Sequence, residues 1–148
     1  MKLRLGFVSN SSASSFIYYL DRKIEKTVDD FMKTFFPGMS KGDLIGLEKE
    51  NRFSVRHMAE YLVKYATVCH TIEEAEEAFC IYADEWISDE CKEKLRSKVV
   101  KAIEEDKTVV FVTVGDFDYE GAVLIYEYKW PGQPGNNYDI LYTPEWSC

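Results

Sequence analysis

Thr108-Val109-Val110-Phe111-Val112-Thr113-Val114 is the stretch that decides the fold class. Six of its seven residues are β-branched. Such side chains sit well on a pleated, buried surface and lose rotamer freedom in a helix. Glu104-Glu105-Asp106-Lys107 comes directly before it and closes a long segment of helical period. The period therefore changes from helix to strand at this point.

Working upstream, three helices are legible from their caps and stripes. Ser88 caps a helix with Cys91, Leu95, Val99, Ala102 and Ile103 inward. Thr71 and Glu74 form a capping box ahead of Ile72, Ala75, Phe79, Tyr82, Ala83 and Trp86. Ser54 caps Val55, Met58, Ala59, Leu62, Val63 and Ala66. A shorter helix follows Thr27, with Asp29 and Asp30 in its first turn, and Pro37-Gly38 stops it. Met39 to Phe53 reads as an irregular loop with one turn of helix. Lys2 to Val8 and Ser15 to Leu20 read as two N-terminal strands. Downstream, Gly115 to Gly121 reads as an acidic turn, Ala122 to Trp130 as a strand, and Tyr138 to Thr143 as a last strand. The aromatic face Tyr126, Tyr128 and Trp130 reads as core or as an exposed binding surface, with core the expectation because aromatic side chains usually supply buried area.

These elements predict one α+β domain over residues 1–148. Its sheet is mostly antiparallel, with two N-terminal and three C-terminal strands, and a central group of about four helices covers it. The simplest assembly puts the helices on one face.

The chain has 148 residues, 46% of them hydrophobic, which excludes intrinsic disorder. With 26 acidic and 18 basic residues the net charge is −8. No basic stripe exists to displace counterions from phosphates, so direct non-specific nucleic-acid binding is excluded. No apolar window is long enough for a membrane span. Lys2 and Arg4 precede too short an apolar run for a signal peptide, so a cytoplasmic location with free thiols is expected. Cys69, Cys80, Cys91 and Cys148 lack zinc-knuckle or thioredoxin-like spacing. His57 and His70 lie near no cysteine whose spacing forces a dyad. The sequence points to no catalytic residue, no cofactor and no metal. Asp116, Asp118 and Glu120 alternate as calcium ligands do, but without EF-hand spacing, and read as a solvated turn.

Two stretches carry candidate binding residues. The loop bearing Ser9, Asn10, Ser11, Ser12, Ser14 and Ser15 is longer than a hairpin needs. Small side chains and successive amides there can cradle a phosphate. The same residues can equally form a self-satisfying serine and asparagine turn. The acidic side chains Glu73, Glu74, Glu76, Glu77, Asp84 and Glu85 can meet a basic partner, or can be the wet faces of helices.

Gly6-Phe7-Val8-Ser9-Asn10-Ser11-Ser12-Ala13-Ser14-Ser15-Phe16 resembles the Gly-Phe-Val-Ser-Asn-Ser-Ser-Ser-Ser-Ser-Phe stretch that opens many small uncharacterised phage and bacterial proteins, with Ala13 in place of one serine. The resemblance covers eleven residues and implies provenance more than chemistry. It implies a phage or mobile-element protein, often an inhibitor or modulator of host systems. With the residues above, the expectation is a non-enzymatic protein that engages or inhibits a host macromolecule, a host defence component for instance, through its acidic helices or aromatic strands. The alternative expectation is a nucleotide- or phosphate-ligand protein using the Ser9 to Ser15 loop.

Overall fold

The computed structural model describes residues 2–4, 8–9, 14–46, 52–83, 87–115, 118–128 and 137–142. In chain order the elements are β1 (Lys2–Arg4), β2 (Val8–Ser9), β3 (Ser14–Leu20), α1 (Val28–Phe35), β4 (Leu44–Ile45), β5 (Phe53–Ser54), α2 (Val55–Lys64), β6 (Ala66–Cys69), α3 (Ile72–Tyr82), α4 (Asp89–Glu104), β7 (Thr108–Val114), α5 (Tyr119–Tyr126) and β8 (Asn137–Tyr142). The fold is α+β. Its centre is an antiparallel four-stranded sheet of order β6-β7-β3-β8.

The four expected helix caps are all formed. Thr27, Ser54, Thr71 and Ser88 each accept a backbone N–H from three residues on, and Thr71 with Glu74 completes the capping box. Gly38, at φ +79, takes the left-handed conformation beyond α1 that a side chain would resist.

The central strands are buried on both faces. Phe16, Tyr18 and Leu20 of β3 and Val110, Val112 and Val114 of β7 pack into one core with α1, α2 and α5. Ile17 and Tyr19 of β3 and Val109 and Phe111 of β7 pack into a second core with α3 and α4. Helices therefore flank the sheet on two sides, where a single helical layer was expected. The signal was the unbroken apolar run in both strands, since a strand with one wet face alternates. Full burial of a ring such as Phe111 contributes about 1.5–3 kcal/mol.

Three local expectations are corrected. Ala122 to Trp130 does not form a strand: Tyr119–Tyr126 is helix α5, Tyr128 lies just beyond it, and Trp130 is outside the described residues. Asp118 caps α5 by accepting the Gly121 N–H at 2.9 Å, and Val123 and Leu124 are buried in the first core. Ala66 does not extend α2. It opens β6, an edge strand aligned with β7 from Ala66↔Val112 to Cys69↔Val109. Lys2–Arg4 pairs with Val8–Ser9 in its own small sheet and not with β3. Within the expected loop from Met39 to Phe53, β4 and β5 form a further short pair.

Gly121 is where local propensity and packing conflict. In a helix, alanine is favoured over glycine by about 1 kcal/mol. At position 121 an added Cβ would collide with the Gly115 carbonyl oxygen. Overpacking of this kind costs about 1–3 kcal/mol and outweighs the propensity gain. Gly121→Ala is therefore expected to lower the urea midpoint of unfolding. An unchanged or raised midpoint would mean that α5 does not pack as described.

Candidate functional site

One turn after another, α2 presents His57, Glu60, Tyr61 and Lys64 along one side, at the i, i+3, i+4 and i+7 spacing of a helix face. Tyr65 follows at the helix end. The cap and first turn of α5 bring Asp118 and Glu120 opposite. Together these seven residues line an open cleft of about 350 Å³.

Two hydrogen bonds tie the walls together. His57 Nε2 lies 2.9 Å from Glu120 Oε2. The Tyr61 hydroxyl donates to Asp118 Oδ1 at 2.9 Å, the same oxygen that caps α5. Phe53 stacks on the His57 ring, with centroids 5.1 Å apart and planes 18° from parallel. The Tyr61 and Tyr65 rings lie 5.0 Å apart, and Lys64 Nζ sits 5.4 Å above Tyr65.

Burial, then the Asp118 hydrogen bond, pushes the Tyr61 hydroxyl well above its ordinary pKa, so it stays a neutral donor. Partial burial pushes the Glu120 carboxyl up. The His57 hydrogen bond, the α5 backbone and the charges of His57 and Lys64 more than offset this, and Glu120 ends below its usual value. The cleft therefore combines anionic oxygens with aromatic faces, a combination that accepts an ammonium or guanidinium group.

Of the candidate binding residues singled out from the sequence, none that is described is among the cleft's described lining residues. Ser9 is in β2, and Asn10, Ser11 and Ser12 lie outside the described residues. Ser14 and Ser15 are in β3, and the Ser15 hydroxyl is 2.8 Å from Thr113 Oγ1 across the sheet. Glu74 serves the capping box and also accepts the His70 N–H. Those backbone hydrogen bonds, His70 first, hold its carboxyl below the usual range. Glu76 pairs with Arg96 at 3.4 Å. Glu73 and Glu77 are exposed on α3, and Asp84 and Glu85 lie outside the described residues.

Of the acidic turn, Asp118 and Glu120 enter the cleft and Asp116 lies outside the described residues. The sequence reading missed His57, Tyr61 and Lys64 as a group. Their spacing on one helix face was the available signal.

His70 Nε2 sits 2.7 Å from the Ile24 carbonyl oxygen, and among the described residues neither histidine bonds a cysteine. Cys91, expected as a free thiol, is buried and disulfide-bonded. Cys69 and Cys80 are free, Cys69 buried and Cys80 exposed. Burial, with Glu74 nearby, pushes the Cys69 thiol up to about 12. Cys69 is therefore a poor nucleophile near neutral pH. No helix among the described residues is long and apolar enough to cross a membrane.

The chain matches no family model, no curated protein and no solved structure.

Two measurements follow from this geometry. Under native conditions iodoacetamide should modify Cys80 much faster than Cys69, read by mass spectrometry, and faster labelling of Cys69 would contradict its burial. Because the folded Glu120 carboxyl is lowered, its stabilisation is present above the unfolded carboxylate pKa and is lost as pH falls through the folded one. Glu120→Gln should therefore lower the urea midpoint at about pH 6 and leave it nearly unchanged at about pH 3.

Proposed function

We propose that this chain is a non-enzymatic binding protein of phage type, and that the α2–α5 cleft receives a cationic side chain, arginine or lysine, of a host protein. The observation that carries this reading is the convergence of Glu60, Asp118 and Glu120 with the rings of Tyr61 and Tyr65 in one cleft. Lys64 above the Tyr65 ring exemplifies the contact that an incoming cation would make. Tyr119 and Tyr126, seven residues apart on α5, are exposed at 70% and 54%. Exposed tyrosines offer large contact area with a polar tip and are enriched at protein interfaces. The net charge of −8 draws a basic partner over longer distances.

Binding is favoured over catalysis by the contents of the cleft. Among the described residues its lining has no serine, threonine or cysteine, the Tyr61 hydroxyl is committed to Asp118, and the His57 ring is paired with Glu120. The acidic and aromatic character expected from the sequence thus supports the same class of function from a different surface, α2 and α5, while α3 spends two of its glutamates internally.

The test uses fluorescence-labelled peptides that present arginine, lysine or citrulline in otherwise identical sequences. Arginine and lysine peptides should bind, citrulline peptides should not, and added salt should weaken the complexes. Glu60→Lys with Glu120→Lys should weaken binding about tenfold or more, the loss expected for a charge-assisted hydrogen bond. Equal binding of citrulline and arginine peptides, or of wild type and variant, would sink the proposal.

A further inference from the structure

A second cleft lies across the sheet, between the C-terminal half of α4 and the edge strand β8. It measures about 290 Å³ and is lined by Tyr19, Lys98, Lys101, Ala102, Lys107 and Asn137, among others. Three lysines and a single carboxylate, Glu105, are among the described residues that line this groove, in a chain that carries an excess of acid.

The fold builds this convergence. Lys98 and Lys101 are one turn apart on α4. The helix then ends in a Schellman-type closure: Asp106, at φ 66, donates its N–H to the Ile103 carbonyl, and Lys107 donates its own to the Ala102 carbonyl at 3.0 Å. That closure turns the chain back and sets Lys107 beside the preceding helical turn. Aspartate tolerates the left-handed conformation better than most residues, so the sequence Glu105-Asp106-Lys107 suits the turn.

The polar groups are unequally engaged. Lys98 Nζ is 2.7 Å from Asp139, whose carboxylate also accepts the Tyr19 hydroxyl at 2.9 Å. An anion is therefore already held at one end of the groove by a lysine and a tyrosine. Among the described residues Lys107 Nζ has only long ion-pair contacts, 3.6 Å to Asp21 and 3.8 Å to Glu105, and both acids are exposed. Such pairs contribute little and are readily exchanged. Lys101 has no ion-pair partner among the described residues, and neither does the Asn137 amide have a hydrogen-bond partner among them. Ala102 and the Tyr19 ring add an apolar wall. The carbonyl end of α4 opposes an anion, and the lysines of its last turns offset that field.

We propose that this groove binds a small phosphate-bearing molecule, with Lys101 and Lys107 on the phosphate and the Tyr19–Ala102 wall against the remainder. The site shares no described lining residue with the α2–α5 cleft.

Isothermal titration of the full chain with inorganic phosphate, pyrophosphate, adenosine monophosphate and adenosine tests this. At least one phosphate compound should bind saturably, adenosine should not, and Lys101→Glu should weaken binding tenfold or more. Lys94→Glu makes the same charge change in the first half of α4, away from the groove, and should leave binding within about twofold. Binding by inorganic phosphate and pyrophosphate alone would assign the site to the bare anion. Binding by adenosine monophosphate as well would assign it to an organic phosphate. No saturable heat with any phosphate compound would overturn the proposal. So would equal losses in the two variants, or binding that survives Lys101→Glu. Circular dichroism of each variant shows whether it is folded. None of these outcomes bears on peptide binding at the α2–α5 cleft, so the two proposals fail separately.

Discussion

The pairing of β3 with β7 is the constraint on which the rest depends. It runs in unbroken antiparallel register from Ser14↔Val114 to Leu20↔Thr108. Residues 15–20 are all buried, as are all but one of residues 108–114. A slip of one residue would exchange Tyr18 and Val110 with Ile17 and Phe111 between the two cores. Each core would then have to repack around side chains of different size, and that cost specifies the register. Burial on two sides also demands two helical layers, since bare apolar strand faces would remain otherwise. Each candidate site lies in one of these layers, where helices meet another element at the margin.

Asp118 shows how one residue links local structure to the site. Its carboxylate caps α5 and accepts the Tyr61 hydroxyl from α2. The missing side chain at Gly121 allows the close approach of the Gly115 carbonyl just before α5. Without that approach, Glu120 would not face His57. The cleft is thus a product of a cap, a glycine contact and a helix face.

The charge of the molecule is unevenly arranged. Acidic residues dominate the total, and many carboxylates are engaged in caps or in exposed ion pairs worth about 0–1 kcal/mol each. The fold also sorts charge by place, with an acidic, aromatic cleft on one side of the sheet and a lysine groove on the other. Net charge governs long-range attraction, whereas the sorting governs which ligand chemistry each face accepts.

Four helix starts were legible in the sequence because capping is local: Thr27, Ser54, Thr71 and Ser88 each act within three residues. The strands β3 and β7 were legible from their apolar and β-branched runs, and with them the α+β class. The region from Ala122 to Trp130 was misread because its alternation suits a strand, and only contacts with the first core and with Gly115 select the helix. The strand β6 was hidden because Ala66 continues the helical spacing of α2, and only pairing with β7 reveals it. The acids of the cleft were noticed as a turn. Their histidine and tyrosine partners lie about sixty positions earlier, too far apart for spacing to join them. The sequence by itself determined the caps, the core strands and the charge. The tertiary structure alone decided the two-sided burial, the helical state of α5 and the residues that share a cleft, because those depend on contacts between segments distant along the chain.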